Sequence, residues 1–209
     1  MKRGPSRFSI GQSILLLSWC GLVATTSAIM VRYENTPAAT TLRTPLDWPQ
    51  NANIARDPQR ATLVVLLHPY CSCSRATLTE LSILMAHSHG LVTTYALFVR
   101  PPGASPSWVH SALWDRAASI PDVTVSEDTS GHDAHLFGAT ASGDVLLYDR
   151  NGRLLFTGGI TDGRGHEGDN TGLSDVLDLL RGRQAASLRT NVYGCSLSST
   201  TRPAEKGAP

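Results

Sequence analysis

Three observations predict an α/β domain, a mixed central sheet flanked by helices, carried behind an N-terminal transmembrane helix. Apolar runs with strand character alternate with amphipathic stretches of helical spacing from residue 61 to residue 182. The alternation ends in two adjacent strands around Asn151 and Gly152, which add an antiparallel pair to strands joined by crossovers. A long uncharged stretch precedes the whole pattern.

That stretch comes first. Lys2, Arg3 and Arg7 precede 24 residues without charge, from Phe8 to Val31, enough to cross a hydrocarbon core of about 30 Å as a helix. Positive charge ahead of the span predicts an N-terminus in the cytoplasm and the remainder outside. The expectation is a bacterial inner-membrane protein with a single pass through residues 8–31 and a C-terminal domain in the periplasm. A cleaved signal peptide is the rival, with Thr26 to Ala28 as its small-residue site. Cys20 lies in the span and reads as a packing residue. The chain then divides into 1–31 (cytoplasmic tip and anchor), 32–60 (tether), 61–195 (domain) and 196–209 (a polar, disordered tail). The tether is polar and punctuated by proline, with Leu46 to Trp48 placed to dock on the domain.

Within the domain, Thr62 to Leu67 is a continuous apolar run and reads as a buried strand. Leu78, Leu81, Leu84 and Met85 follow at helical spacing. Thr93 to Val99 is a second strand, rich in β-branched and aromatic residues and ended by Pro101 to Gly103. Ser107 is placed to cap a helix carrying Val109, Ala112, Leu113 and Ala117, closed by Pro121. Asp122 to Val125 is a short third strand, and His132 to Phe137 a brief helix. Residues 144–150 and 153–157 flank Asn151 and Gly152, which suit a two-residue hairpin turn. A glycine-rich loop from Gly158 to Asn170 precedes a helix with Leu173, Val176, Leu177 and Leu180 on one face, and Gly182 stops it.

With 209 residues the chain can bury a hydrophobic core without help from disulfides. A formal net charge of +1 gives no basic field for nucleic acid. Four cysteines are too few for a disulfide scaffold, which leaves them free for chemistry. No phosphate-cradling glycine motif, serine elbow or paired-metal carboxylate signature is present.

The chemistry concentrates in His68-Pro-Tyr-Cys71-Ser-Cys73-Ser-Arg75, where the first strand turns into the first helix. A helix start favours thiolate over thiol through its unpaired N–H groups and dipole. Cys71 is the candidate nucleophile, nearest the loop and first to meet a partner, with Arg75 one turn on to lower its pKa and His68 to do the same or to shuttle a proton. Arg75 reads equally as a solvated helix residue, and His68 as a residue that shapes the strand exit. Residues two apart on a helix point about 200° apart, so a Cys71–Cys73 bridge needs a distorted turn and would be labile. Cys195, just past the last helix, is the other available partner for Cys71 or Cys73. Both pairings stay open at this level.

The order of elements, with a cysteine pair after the first core strand, resembles the thioredoxin-like superfamily, and membrane-anchored periplasmic members of the TlpA/ResA kind in particular. His68-Pro-x-Cys71-x-Cys73-Ser-Arg75, Phe137-Gly-Ala139, Leu146 to Asp149, Gly158-Gly-Ile160 and Arg164-Gly-His-x-Gly-Asp-Asn170 are similar to the bacterial RedB-type proteins. The pattern departs from thioredoxin in two places: Cys-x-Cys replaces Cys-x-x-Cys, and Ala139 to Gly143 stands where a thioredoxin has a cis-proline that helps hold the substrate chain. The resemblance implies thiol–disulfide exchange with periplasmic protein thiols or disulfides, through Cys71 with Cys73 or Cys195 resolving, and without a cofactor. An alternative is a Sco-like copper chaperone, with Cys71, Cys73 and His166 as ligands. A third is a non-catalytic docking module.

Overall fold

The computed structural model describes residues 10–39 and 42–198. The basic residues ahead of the apolar stretch, and residues 199–209 of the tail, lie outside them. Helix α1, Ile10–Glu34, runs three residues past the expected end and buries none of its side chains. Its 25 residues rise about 37 Å at 1.5 Å each, and it is long and apolar enough to cross a membrane.

Five strands form one sheet: β1 (Ala61–Leu67), β2 (Val92–Arg100), β3 (Val123–Thr129), β4 (Asp144–Tyr148) and β5 (Leu154–Gly158). Their order is β3-β2-β1-β4-β5. The first three run parallel, β4 is antiparallel to β1, and β5 is antiparallel to β4. Helices α2 (Ser74–His87), α3 (Ala112–Ala118), α4 (His132–Leu136) and α5 (Thr171–Leu180) complete the domain. A parallel β1–α2–β2 unit beside an antiparallel hairpin followed by a helix is the thioredoxin-like arrangement, with β3 added at the edge next to β2.

The unbroken apolar run of β1 has a direct cause: it is the central strand and both its faces are covered. Leu63, Val65 and Leu67 pack with Leu78, Leu81 and Leu84 of α2 and Val176 of α5. Val64 and Leu66 pack on the other face with Phe137, Tyr148, Ile54 and Leu197. Residues 42–60 are therefore more than a spacer. Trp48 sets its ring edge-on to Phe137 at 5.1 Å and to Tyr148 at 5.2 Å, and Ile54 is buried beneath. At the other end the tail begins later than expected. Leu197 is buried, and its N–H donates to the Thr140 carbonyl at 3.0 Å.

Three local expectations are corrected. Asn151 and Gly152 do not form a two-residue turn. Gly152 alone has positive φ (86°), its N–H donates to the Asp149 carbonyl, and the Asp149 N–H donates to Arg153, which is a type I turn followed by a glycine bulge. Asp149 Oδ1 fixes it by accepting the N–H groups of Asn151 and Arg153, each at 2.8 Å. Ser107 lies in a 3-10 turn, Pro106–Trp108, and the cap of α3 is Ser111, whose Oγ accepts the Trp114 N–H. The third strand is longer than its apolar core, because its ladder with β2 continues to Thr129.

Candidate functional site

The strand-to-helix junction is held by a buried hydroxyl. Ser142, in the loop ahead of β4, accepts the His68 N–H at 2.8 Å and lies 2.6 Å from Ser74 Oγ, so one side chain ties the end of β1 and the start of α2 to that loop. The Cys71 N–H donates to the His68 carbonyl and the Ser74 N–H to the Cys71 carbonyl, which closes two turns before the helix. Cys73 is the N-cap residue of α2 in αR conformation, and its side chain makes no capping bond. Its sulfur is thereby left for other contacts.

The partner thiol comes from the far end of the chain. After α5, Gly182 adopts φ 70° and the chain returns along β5, where Thr157 and Gly159 pair with Leu188, Thr190 and Asn191. It then crosses the loop ahead of β4. The Ser142 N–H donates to the Cys195 carbonyl at 2.8 Å, and Ala141 and Ser196 form an antiparallel bridge. Cys195 Sγ ends 2.9 Å from Cys71 Sγ, and the Cys195 N–H donates to Cys71 Sγ at 3.3 Å. A disulfide bond is 2.03–2.05 Å long, so these free thiols need only a small approach to join.

Hydrogen bonding sets their acidity. The Cys71 thiol is held well below its ordinary range, first by its hydrogen bond with Cys195 and next by that with Cys73, against the effect of burial. Cys73 and Cys195 are pushed above theirs, first by the same bonds to Cys71 and then by burial, with Arg164 opposing. The first proton to leave the trio is therefore that of Cys71, and its two neighbours stabilise the thiolate as donors.

The cation at the sulfurs is Arg164, from the glycine-rich loop, and not Arg75, which is exposed. Arg164 Nη1 donates to the Gly194 carbonyl at 3.1 Å, its guanidinium lies over the Tyr33 ring at 5.0 Å, and its charge favours the thiolates of Cys73 and Cys195. Glu80 holds that loop in place. Buried on α2, it accepts the Gly168 N–H at 2.8 Å and Asn170 Nδ2 at 3.2 Å. Neither role shows in the sequence, where Glu80 is a charge on an amphipathic helix and Arg164 sits among glycines.

His68 is buried. Its Nδ1 accepts the Tyr70 N–H at 3.2 Å, and its ring stands edge-on to Trp108 at 5.3 Å, contacts that shape the exit of β1. His166, the residue named for a metal, is exposed. Among the described residues no group of three or more His, Cys, Asp or Glu side chains is arranged to hold a metal ion.

The expected exposure of Cys71 is also corrected. Cys71 is 1% exposed and Cys73 8%, whereas Cys195 is half-buried. The segment carrying Cys195 lies directly against the Cys71 sulfur.

No protein-family model matches the chain, and no curated protein matches it. Solved structures do. A hypothetical protein from Sinorhizobium meliloti 1021 superposes with TM-score 0.60 at 19% identity, over 81% of this chain and 100% of that one. An uncharacterized conserved protein from Geobacillus kaustophilus superposes with TM-score 0.57 at 18% identity, over 81% and 92%. A secreted Mycobacterium tuberculosis disulfide oxidoreductase aligns at TM-score 0.43 and 12% identity, over 60% and 83%, a score that supports no functional inference. Strand order, strand directions and the position of the cysteines at the β1–α2 junction together make this a thioredoxin-like fold.

Proposed function

We propose that the chain exchanges thiols and disulfides with protein partners, anchored by α1 in a bacterial inner membrane with its domain in the periplasm, and that its working pair is Cys71 and Cys195. The reading rests on one observation above others: two sulfurs 124 positions apart in sequence are brought to 2.9 Å. The depressed acidity range of the Cys71 thiol supports its role as nucleophile. In the reduced protein the Cys71 thiolate attacks one sulfur of a partner's disulfide. A Cys71–partner bond forms, the partner's S–S bond breaks, and the electron pair leaves on the partner's other sulfur, which takes up a proton. Cys195, deprotonated in turn, then attacks Cys71 Sγ and expels the partner's first sulfur as thiolate. The partner leaves with two thiols, and the chain keeps a Cys71–Cys195 disulfide. Every step runs equally in reverse, so the same pair can oxidise a partner.

Mass spectrometry of the full chain, with and without reductant, tests this. The expected product of oxidation is a Cys71–Cys195 crosslink with Cys73 unmodified. Challenge of Cys195→Ser with a protein disulfide is expected to accumulate a mixed disulfide on Cys71. A Cys71 that stays a free thiol under both treatments overturns the reading.

A further inference from the structure

We propose that residues 194–197 occupy a peptide-binding groove as an internal stand-in, and that the partner this groove fits is an extended protein segment of the pattern Gly-Cys-x-apolar. The inference rests on the exchange reading above and names the partner of that same site.

The segment is bound as a foreign peptide would be. Its main chain makes the contacts: the Ser142 N–H to the Cys195 carbonyl at 2.8 Å, the Leu197 N–H to the Thr140 carbonyl at 3.0 Å, and Arg164 Nη1 to the Gly194 carbonyl at 3.1 Å. Ala141 and Ser196 pair as in an antiparallel sheet. None of these bonds depends on the side chain of the bound residue. An extended segment of another protein can make all of them once residues 194–197 lift away, in the manner of strand addition to an exposed edge.

Side-chain selection follows position by position. A Cβ built at Gly194 lands on the Ser142 carbonyl oxygen, so the residue ahead of the cysteine has to be glycine. At the next position the sulfur meets Cys71 Sγ. Ser196 is exposed, and its hydroxyl bonds only within its own segment, to Ser198, so this position accepts any residue. Leu197 is 4% exposed in the apolar cluster with Val99, Ala134, Phe137 and Ala139, so a charge there is excluded. A cavity of about 830 Å³ opens beside Leu197, lined in part by Val99, Pro101, Ala134 and Arg164, and gives a longer partner room to continue. Partner and internal segment compete for the groove: the partner holds it in the mixed disulfide, and the return of residues 194–197 brings Cys195 to Cys71 and displaces the partner, so Cys71 is presented to a cysteine that arrives in this sequence setting.

The test uses the reduced, full-length chain in detergent carrying Gly194→Val and Cys195→Ser, which together remove the internal segment from Ser142 and the competing thiol. Three peptides are offered: Tyr-Gly-Cys-Ser-Leu, matching residues 193–197, Tyr-Val-Cys-Ser-Leu and Tyr-Gly-Cys-Ser-Asp. In each, the cysteine is activated as a disulfide with a nitroaryl thiol. Cys71 thiolate attacks the peptide sulfur, the Cys71–peptide bond forms, and the electron pair leaves with the coloured nitroaryl thiolate, whose release gives the rate. The first peptide is expected to react at least about tenfold faster than either variant peptide, which is 1.4 kcal/mol of selection. Cys195→Ser alone, which keeps the groove's own segment and fold, is expected to give the same ranking at lower rates. Equal rates for the three peptides, with Cys71 still modified by the symmetrical nitroaryl disulfide, overturn the groove and leave the exchange reading standing. Failure of every probe, the small disulfide included, to modify Cys71 overturns both.

Discussion

The backbone N–H of Cys195 points at the sulfur of Cys71 from 3.3 Å. The residue placed to bond with Cys71 therefore also supplies a donor that favours its thiolate. Reactivity and pairing are set by the same stretch of chain, so they change together when that stretch is altered.

Titration of thiolate absorbance in the reduced protein is expected to show one thiol ionising below the ordinary range, a step absent in Cys71→Ser. Cys195→Ala is expected to move that step upward, because the Cys195 contact is the largest influence holding it down. The sign for stability follows: a depressed value in the folded state contributes stability above the ordinary thiol pKa, and that contribution fades as pH falls through the depressed one. A step unmoved in Cys195→Ala would refute the assignment.

Closing a bond between positions 71 and 195 restricts the unfolded chain over 124 positions. Loop-closure entropy places the stabilisation at up to about 5 kcal/mol. Oxidised protein is expected to melt higher than reduced protein by calorimetry. Cys195→Ser abolishes the difference and Cys73→Ser preserves it.

Much of this architecture was readable from residue patterns, for reasons that differ from place to place. The centre of the sheet was legible because β1 is covered on both faces and so carries no polar alternation. The βα junction with its cysteines was legible because helical spacing begins at Leu78. Cys195 stood as one of two candidate partners of Cys71, and strand periodicity could not choose between them, since it says nothing about where a chain returns after its last helix; main-chain bonds carry residues 188–197 along β5 and across the loop ahead of β4. Asn151 and Gly152 misled because the carboxylate of Asp149, outside the pair, chooses the turn. Arg75 is exposed, as its reading as a solvated helix residue allowed, and Arg164 was hidden because a loop far along the chain brings it to the sulfurs.

Glu80→Ala is expected to leave two donors, the Gly168 N–H and Asn170 Nδ2, without their acceptor. Water can reach the exposed Gly168, and Asn170 Nδ2 keeps its bond to the Gly168 carbonyl, so denaturant unfolding should show a loss of about 1–3 kcal/mol, the cost of one buried unsatisfied group. Glu80→Gln keeps an acceptor and should lose less. Equal losses would mean that the loop is held by something else.

Asp144, buried at the start of β4, has its pKa raised to about 7 by burial, against the Val145 N–H and the nearby charge of Arg189. Because the folded value lies above the unfolded one, the neutral carboxyl's contribution is complete below the unfolded pKa and is lost as pH rises through about 7. Asp144→Asn is therefore expected to change little near the unfolded carboxyl pKa and to stabilise the domain above the raised one. The ceiling is about 4 kcal/mol, at 1.36 kcal/mol for each unit of difference. Thermal melts across that pH range check it, and an equal effect at both ends would contradict it.

The backbone N–H of Arg164 donates to the carbonyl of Glu34 at 3.0 Å, and its guanidinium covers Tyr33, both in the last turn of α1. The same side chain grips Gly194, next to the sulfurs. Were α1 to span a bilayer, as proposed, this would be a short leash, holding the thiols just off the lipid headgroups with no freedom to roam the compartment.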